Sequence, residues 1–97
     1  MRYQLIRNKK IFELPDSDIE ICDTRDEINN FSVKEIMNLL VELKDTNYKN
    51  AGIYVDIYTV LKNLTEENNI PDHEIEVLYK QKLKDEGMFG KYLLKIK

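Results

Sequence analysis

Asp56 stands out among the residues able to do chemistry. It follows Ile53-Tyr54-Val55 and precedes Ile57, and on a helix it would lie about 40° around the axis from Val60 at 100° per residue. An acid so near an apolar seam must find a partner or hold its proton, because burying an unpaired carboxylate is costly. Two readings follow: a functional role, or a buried structural hydrogen bond. Glu35, Asn38 and Glu42 form a second polar set on one face of the preceding helical stretch, where Glu42 by itself reads as a solvated acid.

Other chemistries lack their parts. His73 is the only histidine, without a nearby cysteine or paired-carboxylate motif, and reads as a surface residue at a helix entry. Gly52, Gly87 and Gly90 are the only glycines, which excludes a Gly-rich phosphate cradle. The six tyrosines suit core and interface positions better than a base-stacking platform. Cys22 is alone, so no intramolecular disulfide forms; a small strand or core role in a reducing, cytoplasmic setting is expected.

Three helices must position these side chains. Phe31-Ser32-Val33-Lys34-Glu35-Ile36 has the form of a capping box with a hydrophobic staple, which predicts a helix start at Ser32. Val33, Ile36, Met37, Leu40 and Leu43 then recur at helical spacing, and the helix should fade near Asp45-Thr46-Asn47. A second helix is expected from about Asn50 to Asn63 or Leu64, with Ile53, Ile57, Val60, Leu61 and Leu64 as its stripe. Tyr54, Val55 and Tyr58 widen that stripe beyond what a peripheral helix needs. After the break at Asn68–Asp72, a third helix carries Ile75, Leu78, Tyr79 and Leu83, a Glu76–Lys80 pair, and a stop at Gly87. Ile19–Cys22 alternates weakly like a short strand, to which the tail Tyr92–Ile96 would pair unless it docks on the bundle.

Composition narrows the class. Ninety-seven residues make one domain, and a chain this short gains from extra burial through oligomerisation. No apolar run approaches the roughly 20 residues of a membrane helix, and no apolar h-region follows Met1-Arg2-Tyr3-Gln4. A net charge of −3 with Lys and Glu interspersed argues against nucleic acid as a partner. Heavy use of Lys, Asn and Ile matches an AT-rich genome, bacterial or viral.

The two ends carry more specific patterns. Tyr3-Gln4-Leu5-Ile6-Arg7-Asn8-Lys9 and the stretch from Lys82 through Gly87-Met88-Phe89-Gly90 to Lys91 together resemble the MazG-like and phosphoribosyl-ATP pyrophosphohydrolase-like superfamily. Members often open with a Lys-Leu-Val-Arg-Asp-Lys-like run and close with Lys-x-x-Glu-Arg-Gly-Gly-Phe. The resemblance implies an all-helical fold, association through helices, and nucleotide hydrolysis with Mg²⁺ held by Glu-Glu-x-x-Glu and Glu-x-x-Asp on two helices. In register, Asn38-Leu39-Leu40-Val41-Glu42 and Ile53-Tyr54-Val55-Asp56 stand in those places, so only Glu42 and Asp56 match, as vestigial Mg²⁺ ligands. Arg7, Lys9 and Lys82 fall at basic positions that would approach phosphates. Glu86 replaces an Arg and Met88 a Gly, which weakens phosphate binding further.

The expectation is a mainly all-α protein: one MazG-like helical domain over residues 1–97, with short extended segments near the N-terminus and in the tail, assembled as a dimer or larger. Its implied role is a catalytically degenerate pyrophosphohydrolase-fold protein that binds a nucleotide or a protein partner. Two alternatives stand beside it. One is a working Mg²⁺-dependent nucleoside triphosphate pyrophosphohydrolase using Glu42, Asp56 and Glu35 from a neighbouring protomer; the other is a viral or mobile-element interaction protein that reuses the fold.

Overall fold

The computed structural model describes residues 4–96, and Tyr3 of the N-terminal motif lies outside them. The architecture is mainly helical. Two short 3-10 turns, Asn8–Glu13 and Asp16–Asp18, precede three α-helices: α1 (Arg25–Asp45), α2 (Ala51–Glu67) and α3 (Asp72–Glu86). No strand forms among the described residues. Ile19 to Cys22 forms no strand, and the tail neither pairs nor docks: Tyr92, Leu93, Leu94 and Ile96 are almost fully exposed. Both expectations for these segments are therefore overturned, since a strand needs a second strand beside it and none forms among the described residues.

α1 starts a full two turns before Ser32. Thr24 is its N-cap, accepting the Glu27 N–H at 3.2 Å, while Glu27 takes the Asp23 N–H at 3.3 Å. Thr24-Arg25-Asp26-Glu27 repeats the Ser/Thr-x-x-Glu spacing found at Ser32, and the earlier box wins because extending a helix is cheap once it is nucleated. The added turns also gain a tertiary anchor: Asn29 and Asn68 exchange side-chain amide hydrogen bonds at 3.2 and 2.7 Å, closing the open end of the α1–α2 hairpin. Ser32 thus sits mid-helix, wholly buried, its hydroxyl without a hydrogen-bond partner. A side chain so small lets the two helices approach closely.

The other end of the hairpin closes through Asn47 and Tyr48, both at positive φ, with the Tyr48 N–H returned to the Leu43 carbonyl at 2.8 Å. Asn tolerates that region and Tyr does so reluctantly; the Tyr54 hydroxyl donates to the Tyr48 carbonyl at 3.0 Å and braces it. Asn50 caps α2 through the Gly52 N–H.

The buried face of α1 is rotated from the expected stripe. Ser32, Glu35, Leu39 and Leu43 face α2, with Ile36 beside them, while Val33, Met37 and Leu40 are about half exposed or more. α1 carries two adjacent apolar rows, and α2 takes the one that contains the small Ser32. On α2 the expected stripe holds at Ile53, Ile57 and Val60, while Leu61 turns outward.

α3 has the expected Pro71–Asp72 entry, the Lys80–Glu76 pair at 3.1 Å and a stop at Gly87 with φ 78°. Packing between helices is nevertheless concentrated in the α1–α2 pair. Lys62 of α2 reaches Asp72 at the start of α3 at 3.3 Å, and this hydrogen-bonded ion pair raises the Lys62 pKa. Ile75, Leu78 and Tyr79 of α3 remain exposed. The radius of gyration, 16.8 Å, exceeds the roughly 12.5 Å typical of a compact chain of this length.

Candidate functional site

Each helix of the hairpin has three sectors. Relative to the seam, Glu35 and Glu42 of α1 lie on one flank, seven residues and about two turns apart. Asp56 and Asn63 of α2 repeat that spacing. Because the two helices run antiparallel, these flanks fall on the same side of the hairpin, and the non-helical stretch that carries Leu5 and Arg7 lies against them. A pocket of about 420 Å³ results, lined by Arg7, Glu35, Glu42, Asp56, Thr59 and Asn63 over an apolar floor of Leu5, Leu39 and Val60.

Leu5 holds the crossing segment by packing on the Leu39, Leu43, Ile53 and Val60 cluster. That contact delivers the Arg7 guanidinium to the Asp56 carboxylate, 2.5 Å away. Asp56 is thus neither a buried hydrogen-bonded acid nor an unpaired one: both partners are about half exposed, 51% and 45% by side chain, and solvent screens such a pair to about 0–1 kcal/mol. Glu35 is the most enclosed acid, 8% exposed, and joins Glu42 and Asp56 from within the same protomer. Thr59 donates its hydroxyl to the Val55 carbonyl at 2.7 Å, leaving its oxygen lone pairs as acceptors.

Of the residues expected to form a site, Arg7, Glu42 and Asp56 come together, whereas Lys9 and Lys82 do not line the pocket. Lys9 lies in the first 3-10 turn and Lys82 on exposed α3. Asn63 and Thr59 were not expected, although the seven-residue spacing of Asp56 and Asn63 marks them as sharing a face. His73 is exposed at the start of α3. Cys22 lies apart from the pocket, and its thiol pKa is raised by partial burial, then by the nearby Glu27 and Asp23.

Mg²⁺ is the ion that the resemblance implies, and the donor set fits it poorly. Among the described residues no three carboxylate, histidine or cysteine side chains converge as a metal-holding group. Asp56 is engaged by a cation of the protein itself, and Leu39 and Ile53 offer no oxygen where further ligands would be needed.

Comparison with known proteins finds no matching family model, no matching curated protein and no matching solved structure.

Proposed function

We propose that this chain is a MazG-like helical protein that binds a nucleotide on the polar flank of the α1–α2 hairpin without hydrolysing it efficiently. One observation carries the reading: Arg7, Glu35, Glu42 and Asp56, from three separate stretches of chain, line a single pocket of nucleotide-binding size. An incoming phosphate competes with Asp56 for the Arg7 guanidinium. Their half-exposed pair is weak enough to open, and Arg offers a planar fork matched to phosphate oxygens. Asn63 and Thr59 supply amide and hydroxyl groups for the sugar or base.

Three acids in one pocket oppose a triphosphate unless a cation offsets them, and the donors do not gather around a metal. Phosphoryl transfer depends almost wholly on positioning and charge stabilisation, so such a site binds weakly and turns over slowly at best. The working-hydrolase alternative loses ground for that reason. The interaction-protein alternative keeps a specific support in the exposed stripe of α3 and the exposed apolar tail.

The test is a thermal-shift screen of nucleotides, with and without Mg²⁺, on the natural chain and on Arg7→Ala. At least one nucleotide should raise the melting temperature of the natural chain, and Arg7→Ala should abolish the shift. A screen in which no nucleotide stabilises the natural chain would sink the reading.

A further inference from the structure

Glu35 lines the pocket beside Leu39 and Val60 and is only 8% exposed. Among the described residues no cation pairs with it and no donor reaches its carboxylate; the guanidinium of the pocket, Arg7, is taken by Asp56. An enclosed carboxylate with its lone pairs unmet is costly, and donors brought by a ligand would offset that cost. Its place along the hairpin decides which part of a ligand it meets. Asn29 of α1 hydrogen-bonds Asn68 of α2, and the helices run antiparallel from there. Six residues on, Glu35 comes level with Lys62 and its neighbour Asn63; thirteen on, Glu42 comes level with Val55 and its neighbour Asp56. The pocket therefore has two ends, separated by the rise of seven helical residues, about 10.5 Å. Arg7 stands at the Asp56 end, Glu35 and Asn63 at the other.

We infer that Glu35 reads the base of the bound nucleotide and selects guanine. The assignment rests on the nucleotide reading of the pocket: a 5′-phosphate on Arg7 sets the Watson–Crick edge of an extended mononucleotide at the Glu35 end. A carboxylate offers acceptors only, two oxygens side by side. Guanine presents two adjacent donors on that edge, N1–H and the N2 amino group. Adenine and cytosine each set one amino donor beside a ring-nitrogen acceptor, and uracil sets its single N3–H between two carbonyls. Guanine alone fills both oxygens at once; every other base turns a lone pair toward the carboxylate. The paired hydrogen bonds are charge-assisted, and the apolar surroundings of Leu39 and Val60 strengthen the attraction and the mismatches alike. Leu39 and Val60 also give the flat face of the base an apolar floor.

Isothermal titration calorimetry of the full chain with GMP, IMP, AMP and CMP tests it. GMP should bind at least ~10-fold more tightly than IMP, which lacks only the N2 amino group, and than AMP or CMP. Glu35→Gln keeps the shape of the side chain and turns one oxygen into a donor, which matches the amino donor and ring-nitrogen acceptor of adenine. That variant should lose at least ~10-fold in GMP affinity and bind AMP more tightly than GMP. GMP, IMP and AMP binding alike to the natural chain would overturn the base assignment and leave the nucleotide reading standing. Binding of none of the four would overturn it as well, and the nucleotide screen above then decides whether that reading falls with it. A folded Glu35→Gln protein that still prefers GMP would contradict the assignment too; if the variant does not fold, the GMP-to-IMP ratio of the natural chain decides alone.

Discussion

The two flanks of one helical hairpin have opposite characters, although the same two helices supply both. The polar flank is crossed by the segment that carries Leu5 and Arg7, and one of its acids is already paired; on the apolar flank Val33, Met37, Leu40, Tyr54, Tyr58 and Leu61 are each 46% to 65% exposed. Each helix therefore carries three sectors instead of the usual two: a seam, a site and a bare apolar row. A helix of that kind cannot be oriented from hydrophobic spacing alone.

Neighbouring leucines give the sharpest contrast. Leu39 is 6% exposed in the seam and Leu40 49% exposed on the apolar flank. Leu39→Ala should cost about 2–5 kcal/mol in urea unfolding at any protein concentration and should loosen the pocket floor. Leu40→Ala truncates a half-exposed side chain and should cost much less, about 1 kcal/mol or below. If the two variants lose the same stability, the three-sector division is wrong.

Next in size is the start of α1, which Thr24 caps. Thr24→Ala removes the cap and should cost about 1 kcal/mol, within the usual 0.5–2. Ser32→Ala removes a buried hydroxyl that has no partner and should be neutral or slightly stabilising. The reverse order of effects would restore the helix start at Ser32.

A smaller effect is expected from the segment that carries Leu5 and Arg7. Arg7→Ala should change stability by no more than about 1 kcal/mol, since the pair with Asp56 is half exposed and screened. Its consequence for nucleotide binding should be far larger, and a stability loss of several kcal/mol would recast Arg7 as a structural clamp.

The smallest is a local control. The raised pKa of Cys22 favours the neutral thiol, so alkylation should be slower near pH 8 than for a free thiol of ordinary pKa 9.0 and should gain rate at higher pH as the thiolate forms. A rate profile with its midpoint below the ordinary value would show that burial, Glu27 and Asp23 do not act on this thiol as described.

Much of the fold was legible because it rests on local chemistry. The Asn50 and Pro71–Asp72 entries, the fade near Asp45 and the Gly87 stop all appear where caps and breakers stand in the sequence. The start of α1 was misread because two Ser/Thr-x-x-Glu boxes compete, and the Asn29–Asn68 contact that favours the earlier one is thirty-nine residues distant in sequence. The rotation of α1 was hidden by its second apolar row. Asp56 announced itself as an acid in need of a partner, yet its partner Arg7 is forty-nine residues away and is placed by Leu5, whose packing has no short-range signature.

Pyrophosphate release from nucleoside triphosphates, in Mg²⁺ and in Mn²⁺, with Asp56→Ala as the control for contaminating activity, tests the central claim most directly. A polar flank in which Arg7 engages Asp56, and in which no metal-holding group converges among the described residues, predicts negligible release from the natural chain, at the level of the Asp56→Ala protein. Robust release by the natural chain, lost in Asp56→Ala, would contradict it and establish a working hydrolase.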